Sequence, residues 1–196
     1  MAEVKKMKYC VNGEWKESVT DKWMTITDSS TGEAIAEIPC CTEDEVHSAI
    51  AAAHAAFPSW SQMSLTKRTQ YLFKWRNVMI DHLDELTLIC AKELGKTLDE
   101  AKGDVLKAIE PTEFATSIPY TIQGSSALQV TTGFDCTTYR VPLGVVAGIV
   151  PMNFPAMIPW GWMVPLAIAC GNTVVLKANS QTPLTSMRML ELFYDE

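Results

Sequence analysis

The chain has 196 residues, of which 47% are apolar and 20% charged, and a net charge of −7. These values describe a soluble globular protein long enough for one large domain or one and a half small ones. They argue against a nucleic-acid partner, because phosphate binding needs clustered Lys and Arg.

Residues 1–40 predict a β meander. Tyr9-Cys10-Val11 and Glu14-Trp15-Lys16 flank Asn12-Gly13, a hairpin signal. Residues 23–27 alternate in polarity, and Ser29-Ser30-Thr31-Gly32 turns the chain into a strand over 34–38. Thr42 and Glu45 then form a capping box, in which each side chain can take the other's backbone N–H. Val46, Ile50, Ala53 and Phe57 mark one apolar face of the helix that follows. A second helix is predicted over 66–82, with Tyr71, Leu72, Trp75, Val78 and Met79 inward. A third covers 83–94 and stops at Gly95. A fourth starts near Leu98 and continues, past a disturbance at Pro111, to about Tyr120.

After Gly124 the pattern changes. Residues 127–132 and 136–141 predict two strands joined around Gly133-Phe134-Asp135. A short apolar strand over 145–150, a proline-punctuated helix over 155–169 and a second apolar strand over 173–177 follow. Pro183 opens a last helix that runs to the end. This order is a βαβα unit with parallel strands buried on both faces. The uncharged run 141–176 is long enough to span a membrane. Its prolines (142, 151, 155, 159, 165) and glycines (144, 148, 161, 171) would leave too many backbone groups to satisfy in lipid, so no span is read there.

The six cysteines include no Cys-x-x-Cys. The N-terminus, Met1-Ala2-Glu3-Val4-Lys5-Lys6, is not followed by the apolar stretch of a secretory signal. Together these predict a cytoplasmic, reducing setting. His47, His54 and His82 are scattered over helical patterns and suggest no metal site. Gly144-Val145-Val146-Ala147-Gly148 enters a strand rather than opening a helix, so it is not a dinucleotide fingerprint.

Two polar residues stand out in the C-terminal third. Asn153 follows the first parallel strand, at the edge where open α/β sheets bind ligands. Its amide can donate to a developing oxyanion, worth roughly 3 kcal/mol to a transition state. Equally, an Asn there can cap the helix starting at Pro155. Lys177 ends the second strand on the same edge, placed for a phosphate or ribose contact or simply solvated.

These residues carry a resemblance. Pro142-Leu143-Gly144-Val145-Val146, Pro151-x-Asn153-Phe154-Pro155, Gly171-Asn172-Thr173-Val174-Val175-x-Lys177 and Gln181-Thr182-Pro183-Leu184 resemble the first half of the aldehyde dehydrogenase superfamily. Asn12-Gly13-Glu14-Trp15, Arg68 and Glu93-Leu94-Gly95-Lys96-Thr97-Leu98 agree with it. Within the superfamily the chain looks closest to the CoA-acylating methylmalonate-semialdehyde dehydrogenases, through residues 153–159, Gly103-Asp104-Val105 and Thr138-Tyr139-Arg140-x-Pro142.

The resemblance implies an α/β fold: the N-terminal part of an aldehyde dehydrogenase, with β meander, helices, arm hairpin and an incomplete parallel Rossmann-like unit. It implies that residues 1–123 begin the cofactor-binding domain, that 124–141 form an oligomerisation arm, and that 142–196 start the cofactor sheet. It further implies an acid-semialdehyde substrate, NAD (or NADP) as cofactor, CoA as co-substrate and a homo-oligomer in the full-length form. In the family a cysteine thiolate attacks the aldehyde; the residue matching Asn153 donates to the resulting oxyanion. The residues matching Ile149, Val150, Pro151 and Met152 line the cofactor, and the lysine matching Lys177 bonds the ribose.

The chain departs from this pattern at four points. Ser180 stands where the family has a ribose-binding Glu, which removes repulsion toward a 2′-phosphate and lets NADP compete. Lys107 stands where the methylmalonate branch carries Arg to hold the substrate carboxylate, keeping the charge but losing the bidentate fork. The segment between Asn153 and Gly171 is one residue longer than expected, around Trp160-Gly161-Trp162. No residue matches the nucleophile motif or the general-base Glu, and neither Cys136 nor Cys170 has the electropositive setting a reactive thiol needs. The chain is therefore expected to be an N-terminal portion, inactive alone. Its alternatives are a non-acylating aldehyde dehydrogenase and a non-catalytic remnant that associates with a full-length subunit.

Overall fold

The computed structural model describes residues 4–195. Near the N-terminus, β1 (Lys5–Lys6) pairs in parallel with β5 (Ala34–Pro39), and β5 pairs antiparallel with β4 (Trp23–Thr27). The hairpin β2 (Tyr9–Val11) and β3 (Glu14–Lys16) stands apart from this sheet. The strands fall where alternation and turn residues predict them, but they do not form one meander. The chain leaving β3 is diverted to the first helix: Ser18 Oγ and Val19 N donate to the Glu45 carboxylate at 2.8 and 2.9 Å.

Four helices follow: α1 (Glu43–Gln62), α2 (Leu65–Asp81), α3 (Leu83–Leu94) and α4 (Leu98–Ala115), then a single turn, α5 (Ile118–Thr121). The Thr42–Glu45 capping box is present. Gly95 ends α3 at φ +68°, a conformation open to glycine at little cost. The predicted inward face of α1 is corrected: Val46 and Ile50 are exposed, while Ala49, Ala52, Ala53, Ala56, Phe57 and Trp60 are half-buried. Alanines let α1 approach the parallel strands closely enough for Thr173 Oγ1 to reach the Ala53 carbonyl at 2.9 Å. Tyr71 on α2 is also exposed rather than inward, lying tilted against Trp60.

β6 (Ser126–Thr131) and β7 (Phe134–Thr137) form an exposed hairpin. Its turn lies at Thr132-Gly133, and its second strand is shorter than predicted. The Asp135 carboxylate takes the Gln129 amide at 2.9 Å, where the ladder is irregular.

The C-terminal unit is β8 (Val145–Ile149), a helix, β9 (Thr173–Lys177) and α7 (Leu184–Asp195), with β8 and β9 parallel. The crossover helix opens with a π turn, Ile158–Met163, and continues as α6 (Val164–Ala169). A π turn accommodates one extra residue inside a helix, which matches the one-residue excess read around Trp160. It leaves the Trp160 carbonyl without a backbone donor. Pro165 has no N–H, and the Val164 N–H bonds to the Pro159 carbonyl. The Thr112 hydroxyl of α4 fills the gap, shared between the Ala108 carbonyl at 2.9 Å and the Trp160 carbonyl at 3.2 Å.

The main core lies between this unit and the helical layer: Trp75, Met79, Leu86, Val105, Ala108, Trp160, Met189 and Leu192. Among the described residues no helix is long and apolar enough to cross a membrane. Gly161 sits where the π turn meets α4. A Cβ there would lie 2.9 Å from Ala108 Cα and 3.0 Å from the Lys107 carbonyl. Gly161→Ala should therefore lose about 1–3 kcal/mol of stability through overpacking. Gly103→Ala, in mid-α4 with no heavy atom within 4 Å of a new Cβ, should gain about 0.5–1 kcal/mol. Urea midpoints of the two variants check this; similar shifts for both would contradict the close approach.

Candidate functional site

β8 and β9 end level, with Ile149 opposite Lys177. Their outgoing loops are tied together. Asn179 Nδ2 donates to the Val150 carbonyl at 3.1 Å, and Thr182 Oγ1 donates to the Met152 carbonyl at 2.8 Å. The Asn179 side-chain oxygen in turn accepts the Gln181 amide at 2.8 Å. Lys177 Nζ donates to Ser180 Oγ, three residues on, at 2.9 Å, so the two residues pair locally at the strand end. Val150 is buried, whereas Ile149 (72% exposed), Pro151 and Met152 face outward.

Asn153 is exposed, and its side-chain amide makes no hydrogen bond among the described residues. The capping alternative is not what the structure shows. The helix after Asn153 is capped from α4, where Asp104 (1% exposed) accepts the Met157 N–H at 3.0 Å. Burial raises the Asp104 carboxyl above its usual range, against the pull of the Met157 amide and Lys96. The Asn153 backbone carbonyl accepts Lys96 Nζ at 2.8 Å. Lys107 is exposed on α4, and no hydrogen bond or ion pair joins it to the strand-end loops. Of the predicted site residues, the structure thus gathers 149–153, Lys177 and Ser180 at one edge and leaves Lys107 on the helix beside them.

A second buried acid supports the same edge. Glu93 (1% exposed) accepts the Leu184 and Thr185 amides at 2.8 and 2.9 Å, together with the Thr185 hydroxyl, at the start of α7. Burial pushes its carboxyl up to about 7. Asp104, Glu93, Lys96 and Asn179 were not assigned roles from sequence. Asp104 and Glu93 did leave a signal, because each is an acid on an otherwise apolar stripe: Ala101, Val105 and Ala108 around one, Leu86 and Cys90 before the other.

Four of the six cysteines are held toward the neutral thiol. Burial raises the thiols of Cys10, Cys41, Cys90 and Cys170, and for Cys170 this outweighs the nearby Arg68. Cys90 is fully buried and donates to Asp104 Oδ2 at 3.4 Å. Cys40 and Cys136 are exposed and make no hydrogen bond or ion pair among the described residues.

The Aldehyde dehydrogenase family profile matches residues 15–196. The chain is 42% identical over 192 residues to the malonate-semialdehyde dehydrogenase of Lacticaseibacillus casei, a match that takes in 98% of this chain and 39% of that protein. Among solved structures, it superimposes with a TM-score of 0.94 at 30% identity on a Sinorhizobium meliloti 1021 protein complexed with NAD, provisionally identified as a methylmalonate-semialdehyde dehydrogenase. That match covers 100% of this chain and 40% of the other. The methylmalonate-semialdehyde dehydrogenase of Oceanimonas doudoroffii gives a TM-score of 0.93 at 31% identity, covering 98% of this chain and 39% of that one. The chain therefore spans about two fifths of the length of the relatives it matches. It has the mixed α/β fold of their N-terminal part.

The buried acids make stability pH-dependent. Glu93 titrates near 7 in the folded chain, against an ordinary value of 4.5. Between those values the folded state holds a proton that the unfolded state has released, so stability falls as pH rises through that window. Asp104 acts in the same direction. The unfolding free energy should be higher at pH 5 than at pH 8, with the Glu93 share no more than about 3 kcal/mol. Glu93→Gln should flatten the profile; an unchanged slope in that variant would show that Glu93 does not titrate there.

Proposed function

The chain belongs to the aldehyde dehydrogenase family, and from that premise we propose that it forms the cofactor-binding part of an NAD(P)-dependent oxidoreductase acting on an acid semialdehyde. The observation that carries this reading is the strand edge itself. An unengaged amide, Asn153, follows β8, and the Lys177–Ser180 pair closes β9 beside it. The names of the relatives support a malonate or methylmalonate semialdehyde as substrate. On this reading CoA rather than water releases the acyl group.

The residues present suit a dinucleotide. Lys177 and Ser180 offer an ammonium and a hydroxyl to ribose oxygens, while Ile149 and Met152 leave apolar side chains exposed for a planar base to cover. The backbone of 149–152, steadied by Asn179 and Thr182, gives the cofactor a fixed wall. NAD(P) held by these residues would supply an acceptor for a hydride from the substrate carbon. Before any hydride leaves, Asn153 would donate its side-chain N–H to the oxygen that gains negative charge when a thiolate adds to the aldehyde. The Asn153 backbone carbonyl is held by Lys96, and its side-chain amide has no hydrogen bond among the described residues to break before it donates. Lys107 would attract the substrate carboxylate as a point charge. The thiolate is assigned to none of the six cysteines here, so we take the chain to be without turnover by itself. Residues 1–123 and 142–196 make the cofactor-binding part, and 124–141 form an arm for homo-oligomer contacts. The exposed apolar Leu128, Val130 and Phe134 on that arm support the last point.

Two outcomes test the reading. Isothermal titration should show the chain binding NAD and NADP with comparable affinity, because no carboxylate sits at residue 180 to repel a 2′-phosphate. Ser180→Glu should weaken NADP by roughly tenfold or more, about 1.4 kcal/mol, while sparing NAD; a strong NAD preference in the unsubstituted chain would refute this. In a preparation that oxidises the semialdehyde, Asn153→Ala should cut kcat by about 10²–10³ with little change in cofactor affinity. Thioester product appearing only with added CoA would support acyl transfer, and free acid without CoA would count against it.

A further inference from the structure

The geometry points to Lys96 as a positioning residue for the Asn153 amide. The inference rests on the oxyanion role proposed for Asn153, but its structural core does not depend on that role.

Lys96 lies in the short link between α3 and α4, and both sides of its backbone are fixed. Gly95 before it is left-handed, and its N–H bonds to the Ala91 carbonyl at 2.8 Å. Thr97 after it caps α4 through a box with Glu100. The β4–β5 turn braces the same link: Ser29 Oγ donates to the Glu93 carbonyl at 2.6 Å, and Ser29 N to the Lys92 carbonyl at 3.3 Å. From that fixed backbone the flexible lysine stem still has several directions open to it.

It takes one that crosses to the other half of the molecule. Lys96 Nζ donates to the Asn153 carbonyl at 2.8 Å, lies 4.3 Å from the centre of the Phe154 ring, and stands 3.9 Å from Asp104 Oδ2. Each contact fixes a different piece of the Asn153 turn. The hydrogen bond sets the plane of the peptide leaving Asn153. The ring contact sets the next residue. Asp104 holds the first helical amide after it, at Met157. One ammonium and one carboxylate therefore hold the turn by its backbone, while the exposed Asn153 side chain stays unbonded. Lys96, its side chain only 22% exposed, thus serves the buried Asp104 and the Asn153 carbonyl at once. Misplacing a catalytic donor by about 1 Å can cost on the order of a hundredfold in rate, so a turn that carries one gains from being held at three points.

The test is NMR relaxation on the uniformly labelled 196-residue chain, reading Asn153 directly. In Lys96→Met, backbone order parameters at Asn153 and Phe154 should fall from about 0.85 to below about 0.6, and the Asn153 side-chain amide should lose order with them. Lys96→Arg, which can still donate to the carbonyl and lie over the ring, should retain order. Should Lys96→Met fail to fold, Phe154→Leu removes the ring alone and should loosen the same residues to a smaller degree. Asn153 equally rigid in the unsubstituted chain and in the folded variant overturns the positioning role. In a turnover assay, Lys96→Met should lower kcat by about tenfold or more with cofactor KM held, and Lys96→Arg should rescue it. If Asn153 loosens in Lys96→Met but Asn153→Ala leaves turnover intact, the positioning role stands and the oxyanion assignment falls.

Discussion

Two carboxylates buried in the helical layer hold the rest of the structure in register. Asp104 and Glu93 lie almost fully out of water, and each accepts backbone amides at the start of a helix that follows a parallel strand. Burying an ionised carboxylate costs several kcal/mol. Here the cost is offset by main-chain donors, by the positive end of a helix dipole worth up to about 2 kcal/mol, and at Asp104 by Lys96. The offset is incomplete, which is why both carboxyls titrate above their ordinary range. The arrangement is costly yet directional: neither helix can slide along the core without stripping an acid of its partners.

The far end of the crossover helix is gripped as firmly by groups of opposite character. Arg68 Nε donates to the Ala169 carbonyl at 3.1 Å, and its Nη1 donates to the Ser61 and Met63 carbonyls. Asn172 accepts the Leu143 and Gly144 amides at 2.7 and 3.1 Å and donates to the Ala167 carbonyl at 3.2 Å. The helix is therefore tied at its amide end by an acid and at its carbonyl end by donors, while Trp160 crosses the middle to reach Ser186 at 3.1 Å. With the helices fixed, the loops at the carboxyl ends of β8 and β9 have little freedom. The Asn179 and Thr182 bonds remove most of what remains. A rigid loop edge follows from polar ties placed around an apolar core, not from the loops themselves.

Much of this was legible in the sequence because apolar patterning reports burial. β8 ends within one residue of its predicted span and β9 matches it, because both read as unbroken apolar runs, but the expected burial on both faces is not found: Ala147 and Ile149 of β8 are exposed, and β9 is half-buried up to an exposed Lys177. The caps at Thr42 and Gly95 were readable because each depends on a local residue type. The errors share a cause. The face of α1 was assigned to Val46, Ile50, Ala53 and Phe57; the last two are half-buried, but the first two are exposed, since close approach to a sheet favours alanine. The meander was assumed from strand order, but Glu45 draws the intervening segment away. Counting apolar positions also makes an acid on a buried stripe look like an interruption, so Asp104 and Glu93 passed without a role. The candidate site was legible only in part: Asn153 and Lys177 could be placed at strand ends, but the partners that orient them come from residues far away in sequence.

The division of labour at Asn153 follows from what each side chain can and cannot do. A helix N-terminus needs acceptors, and an ionised carboxylate is an acceptor with no donors to waste. An amide offers both, so an Asn used as a cap commits its oxygen to the backbone and is turned by that bond toward its own helix. Supplying the cap from α4 instead leaves the Asn153 side chain without a hydrogen bond among the described residues, on a turn whose carbonyl is held by Lys96. Donor strength at a developing negative charge depends on being aimed beforehand and unoccupied. Those two conditions conflict when one residue must meet both. On the proposed reading the two are separated: Lys96 and Asp104 hold the turn, and the amide of Asn153 is left unbonded.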